Sequence, residues 1–355
     1  MSRMLAREAA GRGWLVCPGC HGRLAGADGA LACAACGATH LVTGDDVPWL
    51  AAPDPESGET EVQRFWTALH GAIDGPAAAL VERRTLVALL DPLQQLFEHR
   101  EHLAVREMPI AELAGRRVLE IGSGAGAHSA LFNARGAEMV ALDLTPDRVV
   151  ATARKLDQLV PPSLAVQGDA RRLPFPDGWF DIVYSNGVLH HSPEIERSVR
   201  EVHRVLKPGG RAVVMLYARR SFLYQGVLFP IRGVLQGKAL RGRRWLGEAT
   251  EWMSPVRQTV ANPWTMVFSG REVRRLFRQF ADVRLRKNAF TFEQIPVVGK
   301  ALGQLAGRWT GVNAAGTLLY GHPWRNETRF EIWAGRYIGW GLNIAATKER
   351  RDGLA

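Results

Sequence analysis

Through the middle of the chain, apolar runs of strand length alternate with stretches in which apolar residues return every three or four positions. The runs near 116–121, 138–143, 163–167, 180–185 and 211–218 predict five strands, and the periodic stretches near 127–135, 147–158 and 193–206 predict the helices between them. Strands that alternate with helices form a parallel sheet buried on both faces. Val283 to Arg286 predict a sixth strand, 340–347 an antiparallel seventh, and Ser269 followed by Glu272 a capping box that opens a helix running to Phe280. The expected fold class is α/β, a doubly wound sheet of seven strands.

Ahead of the sheet, Phe65, Trp66 and Leu69, then Leu80, Val81, Leu86, Leu89 and Leu90, mark a helical segment over 62–112, with Leu93 and Leu96 beyond a break at Asp91-Pro92. The prolines, glycine and acids of 51–61 read as a linker. Residues 1–50 are then a separate small unit, and 113–355 the main domain, with insertions at about 219–268 and 291–336.

Candidate chemistry starts at the first predicted strand. Gly122, Gly124 and Gly126 follow it, where a sharp turn and a helix N-terminus can cradle a polar or anionic group. A glycine-rich turn of this kind also serves as a plain connection, so the next acid carries more weight. Asp143 ends the second strand 21 residues after Gly122, where a carboxylate can accept both hydroxyls of a ribose.

Glu120 before the glycines, Asp143, Gly168-Asp169-Ala170, the run from Phe180 to Asn186 and Leu206-Lys207-Pro208-Gly209-Gly210 together resemble the motifs of class I S-adenosylmethionine (SAM)-dependent methyltransferases. The resemblance covers about 105–220 and is closest to the subgroup of ubiquinone and menaquinone methyltransferases. It implies a Rossmann-like methyltransferase sheet with SAM as cofactor. It places Gly122, Ser123, Gly124 and Gly126 along the methionine part, Glu120 at the ammonium, and Asp143 with Leu144 at the ribose. Asp169 and Ala170 would meet the adenine, and Asn186 and Gly187 the amino-acid end. His190 and His191 follow the fourth strand, where a family histidine can take a proton from the acceptor; the alternative is packing or hydrogen bonding beside Ser192-Pro193. Ser185-Asn186-Gly187-Val188 is not an Asn-Pro-Pro-Tyr turn, which disfavours adenine or glutamine amide nitrogen as acceptor. No cysteine lies near the site, which excludes the covalent route of cytosine-C5 methylation.

All four cysteines stand in the first unit, Cys17, Cys20, Cys33 and Cys36, spaced C-x2-C-x12-C-x2-C. Two such knuckles suit a structural Zn²⁺ with four sulfurs at about 2.3 Å, with disulfides as the alternative in an oxidising compartment. The pattern is similar to zinc ribbons that partner or precede some tRNA and rRNA methyltransferases. About 50 residues bury too little core to fold without such a staple.

Charge is lopsided. Residues 1–210 hold 21 Lys and Arg against 26 Asp and Glu, which leaves 24 against 9, a net +15, for residues 211–355. Only 6 of the 45 cations are lysine, so compositional bias is one explanation; RNA or a peripheral contact with an anionic membrane is another. The insertion at 221–251 combines Phe222, Leu223, Val227, Leu228, Phe229, Ile231 and Val234 with Lys238, Arg241, Arg243 and Arg244. That mixture fits a lid over a greasy substrate, an interfacial membrane element or a surface hairpin. As a lid, it and the second insertion would meet over the cofactor, apolar side chains inward and arginines outward.

The leading expectation is a cytoplasmic methyltransferase acting on a hydrophobic or aromatic small molecule. An RNA base methyltransferase that grips structured RNA with its ribbon and basic lobe comes second, and a SAM-binding interaction protein without catalysis third. The first residues lack a secretory apolar stretch, and no run of 18 apolar residues marks a membrane span.

Overall fold

The computed structural model describes residues 3–51, 59–73, 82–160, 162–242, 244–250 and 262–350. Most of the expected linker, Leu80 and Val81, and Arg243 of the basic cluster lie outside the described residues. Three short antiparallel strands, β1 (Leu24–Ala27), β2 (Ala30–Cys33) and β3 (Thr39–Leu41), form the N-terminal unit. The main sheet has β4 (Arg117–Ile121), β5 (Glu138–Asp143), β6 (Ser163–Gln167), β7 (Phe180–Asn186), β8 (Leu206–Tyr217) and β9 (Asp282–Asn288). After a two-stranded ribbon of β10 (Val312–Asn313) and β11 (Trp324–Arg325), β12 (Gly341–Thr347) completes it.

The seven-stranded order is β6-β5-β4-β7-β8-β12-β9, with β12 antiparallel to both neighbours, so the α/β expectation and its antiparallel seventh strand hold. The strand order reverses between β4 and β7, which opens a crevice beyond their carboxyl ends. Because side chains alternate along a strand, successive apolar residues feed two cores: Leu119, Ile121, Val140 and Leu142 one, and Val118, Met139, Ala141 and Tyr184 the other.

The N-terminal unit shares the first core through Met4, Trp14, Leu15, Leu31 and Leu50. It also covers the edge strand β6. Met4 N–H donates to the Ser163 carbonyl, Gln167 N–H to Pro48, and Leu50 N–H to Gln167. Those bonds occupy backbone groups that an open edge would leave free for another chain.

The helix broken in sequence at Asp91-Pro92 is continuous, Arg83–His99. Proline removes one ladder bond, but Leu86, Leu90, Leu93, Leu96 and Phe97 are buried on both sides of it, and that packing holds the helix through Pro92. The capping box at Ser269 and Glu272 is present, though its helix ends at Leu276.

Among the described residues, each insertion packs mainly around its own elements. The first forms a π-helix, Leu223–Leu235, packed on Trp245–Thr250 around Leu228, Leu246, Ala249 and Val267. The second contributes the helix Gly299–Thr310, the short turn Thr317–Tyr320 and the helix Arg329–Ile338.

Candidate active site

Beyond the carboxyl ends of β4, β5 and β7 lies a cavity of about 710 Å³. Its floor is the set of strand-end turns: Gly122 to Ala125, Asp143 to Thr145, Gly168 to Arg171, and Asn186 to Leu189. Its roof comes from elsewhere in the chain, Val62, Trp66, Leu69 and His70 on the helix Glu59–Ile73, and Leu318, Leu319, Gly321 and His322 of the second insertion.

The three glycines of the first turn do different work. A Cβ on Gly122 would lie 2.2 Å from Val188 Cγ2, and one on Gly126 2.8 Å from Thr152 Oγ1, so these two make room for protein neighbours. Gly124, at φ +52, has no atom within 4 Å of its Cβ position and leaves the backbone open. Of the three, Gly122 and Gly124 line the cavity, and the space beside Gly126 is filled by Thr152.

Asp143 is buried at the floor. Its carboxylate accepts from Gly124 N–H at 2.8 Å and Thr145 N–H at 2.9 Å. Burial raises its pKa above the ordinary carboxylate value, opposed by those two N–H bonds. Asp169 also lines the floor and accepts from Arg171 twice, from its backbone N–H at 2.8 Å and Nε at 2.9 Å; Arg171 reaches on to Glu194 at 3.1 Å. Ser123, Leu144, Ala170, Asn186 and Gly187 line it too.

Glu120 is placed one layer lower. Its carboxylate accepts from the Ser129 hydroxyl and stands 3.5 Å from His128 Nδ1, and it is His128 that reaches the cavity lining. Glu120 is the penultimate residue of β4, and its side chain turns toward the helix that carries Ser129.

The two candidate histidines part ways. His191 lines the cavity, 5.0 Å from the Trp66 ring. Its Nδ1 lies 2.9 Å from the Trp264 carbonyl, with Thr265 Oγ1 at 3.2 Å and Asn262 Nδ2 at 3.3 Å. A carbonyl only accepts, so Nδ1 carries the proton, and Nε2, buried and without a hydrogen-bond partner among the described residues, keeps its lone pair. Burial pushes the imidazole down to about 4, with the bond to Trp264 opposing. His190 is buried against Tyr217, centroids 3.7 Å apart, and of the two histidines His191 is the one that lines the cavity.

Sequence reasoning missed His70, Arg171 and the Asn262–Thr265 support. His70 follows Trp66 by one helical turn, so its shared face was legible; burial, then the charge of Arg148, lowers it to about 3. Leu318 to His322 carry no local signal.

In the N-terminal unit the four cysteine sulfurs lie within 4.8 Å of one another, Cys17 to Cys36 at 3.7 Å and Cys20 to Cys33 at 3.5 Å. Four bonds of about 2.3 Å to a tetrahedral Zn²⁺ place sulfurs about 3.8 Å apart. A Cβ on Gly22 would stand 3.0 Å from Cys33 Sγ and 3.2 Å from Cys20 Sγ, so the knuckle closes tightly around the sulfurs.

A family model described as a methyltransferase domain matches residues 119–214. The uncharacterized methyltransferase YcgJ of Bacillus subtilis is 35% identical over 123 residues, 34% of this chain; the chain spans only 49% of that protein's length. The demethylmenaquinone methyltransferase of Thermus thermophilus is 35% identical over 151 residues, 39% of this chain and 68% of that protein. Among solved structures, the complex between the Haloferax volcanii Trm112 methyltransferase activator and the putative methyltransferase overlays with a TM-score of 0.46 at 18% identity, over 82% of this chain and 99% of that one. With the Thermus protein matched over two thirds of its length, and the domain match running across the strand-end turns that floor the cavity, the chain belongs to the class I SAM-dependent methyltransferases.

Proposed function

We propose that the chain transfers the methyl group of SAM to oxygen or carbon of a hydrophobic or aromatic small molecule. The observation that carries this reading is one cavity with two characters: backbone turns and carboxylates below, Trp66, Leu69, Leu318 and Leu319 above. The name of the Thermus relative, a demethylmenaquinone methyltransferase, points toward a quinone-like ring. The floor fits SAM, because Gly124 leaves its backbone open and Asp143 keeps lone pairs beyond its two N–H bonds. Gly122 to Gly124 would hold the methionine part, Asp143 and Leu144 the ribose, Asp169 and Ala170 the adenine, and Asn186 and Gly187 the amino-acid end. Glu120 would set the negative potential beneath.

SAM supplies a methyl group already activated on a sulfonium, so alignment in a dry site does most of the catalytic work. The chain's own part is to press the acceptor ring against Trp66 and the two leucines, exclude water, and offer His191 Nε2 to a phenolic or acidic C–H proton. The RNA reading has less support, since Arg286, Arg325 and Arg336 of the basic lobe are ion-paired with Glu107, Glu293 with Glu331, and Glu101. Calorimetry with SAM, followed by turnover assays on lipophilic phenols, quinols and structured RNA, tests the proposal. The expected result is methylation of a phenol or quinol, slowed in His191→Gln; methylated RNA without any small-molecule product overturns it, and SAM binding without turnover on any acceptor favours the non-catalytic reading.

We also propose that Cys17, Cys20, Cys33 and Cys36 hold one structural Zn²⁺, a closed site with no position for substrate. One zinc per chain is expected by metal analysis. A metal-free protein with an intact N-terminal fold would remove the proposal.

A further inference from the structure

Two helices of the second insertion present to solvent what a surface helix ordinarily buries. Gly299–Thr310 packs inward through Gly299, Gly303 and Ala306, and a Cβ on Gly303 would collide with the Glu293 carboxylate. Its large apolar side chains point the other way. Val298, Leu302, Leu305 and Trp309 are exposed at spacings of four, three and four, one stripe along the helix, and Trp309 is 86% exposed. Just before them Val297 stands fully exposed at φ +68, a conformation β-branched residues rarely adopt. Arg329–Ile338 repeats the arrangement. Glu331, Ala334 and Gly335 face inward, while Phe330, Trp333 and Tyr337 are more than half exposed, with ring centroids 5.8 and 5.5 Å apart in succession.

A soluble surface leaves such stripes bare only where something covers them. The charges identify the occupant. Gly299–Thr310 contains no acid, and the one acid of Arg329–Ile338, Glu331, is buried against Arg325, whereas Arg308 and Arg329 flank the stripes. We propose that these two helices and the Val297 tip dock on an anionic phospholipid bilayer. Val297, Leu302 and Leu305 would sit at the acyl boundary, Trp309, Trp333 and Tyr337 at headgroup level, and the cations against lipid phosphates. A second copy of the chain related by a two-fold axis would set cations against cations, and a nucleic acid would leave the exposed aliphatic Val297, Leu302 and Leu305 in water, whereas an acyl layer buries them. Among the described residues no helix is long and apolar enough to cross a membrane, so the contact is a surface one.

The same insertion roofs the cavity with Leu318 and Leu319, so a bilayer-dissolved acceptor would enter beside the docking face. That consequence rests on the methyl-transfer reading; the docking does not. The test is sedimentation of the full-length chain with phosphatidylcholine vesicles, with and without about a third phosphatidylglycerol, at low and high salt. Pelleting with anionic vesicles, weakened by salt, is expected. It should fall at least about ten-fold in the double variant Leu305→Glu, Trp309→Glu and in Trp333→Glu, and about five-fold per charge in Arg308→Ala and Arg329→Ala. Retained SAM affinity in each variant reports an intact fold and separates this result from the fate of the methyl-transfer reading. No pelleting on anionic vesicles, undiminished pelleting of the double variant, or a concentration-dependent dimer that the double variant dissolves would each overturn the proposal.

Discussion

The floor and the roof of the cavity are built by opposite rules. Each floor residue sits at the end of a strand, within a few positions of a buried apolar run, and its backbone does much of the work: Gly124 N–H and Thr145 N–H hold Asp143, and Arg171 N–H holds Asp169. The roof is assembled from a helix more than 40 residues upstream of β4 and a turn about 100 residues downstream of β8, and it meets the cavity mainly through the side chains of Trp66, Leu69, Leu318 and Leu319. A floor fixed by backbone suits a constant ligand, and a roof made of side chains suits one that can differ between relatives. Mutations should therefore separate cofactor from acceptor.

The largest effect is expected on the floor. Asp143→Ala removes a buried carboxylate placed to accept two hydroxyls, about 2 to 4 kcal/mol, so calorimetry should show SAM affinity reduced tens- to hundreds-fold. Unchanged affinity would move the ribose site elsewhere and erase the distinction.

The joint between the halves should respond to acid. His191 is neutral when folded, with its pKa down at about 4, whereas in the unfolded chain it titrates near 6.5. The unfolded state thus binds the extra proton first. This contribution is fully present above about pH 6.5 and is lost as pH falls from there toward 4, about 2 kcal/mol by pH 5. Denaturant titrations of wild type and His191→Gln at pH 7.5 and 5 should show the wild type losing about that much more. Equal losses would mean the imidazole is not buried neutral.

The smallest effect belongs to the roof. Trp66→Ala should raise the acceptor KM about ten-fold while SAM affinity changes less than about three-fold, because the ring packs beside His191 rather than on the floor turns. A parallel loss of SAM affinity would show that Trp66 covers the cofactor instead.

The strands and crossover helices could be read in advance because β4 to β8 are buried on both faces and leave continuous apolar runs, and the floor acids because they end those runs. Glu120 and His190 show where such reading stops. Both stand in motif positions, yet Glu120 points below the cavity toward Ser129, and His190 turns under Tyr217 while its neighbour faces the open space. Register along a strand or turn decides which of two adjacent side chains meets a cavity, and that depends on what packs behind them. For His191 the backing is Asn262, Trp264 and Thr265, more than 70 residues away.

The insertions carry the same lesson further. Their composition, apolar and basic, was plain in the chain, and it pointed to a greasy interior with arginines outside. The tertiary structure divides the second insertion: Leu318 and Leu319 line the cavity, while Gly299, Gly303, Ala306 and Gly335 pack on the inner face of their helices and leave Leu305, Trp309 and Trp333 exposed. Local periodicity determined the strands, the helices between them and the carboxylates that end the runs, since strand burial and turn chemistry are written over a few consecutive residues. Which face of a helix is inside, which histidine meets the cavity and what roofs it were decided only by packing between distant segments, whose energies no single stretch of sequence contains.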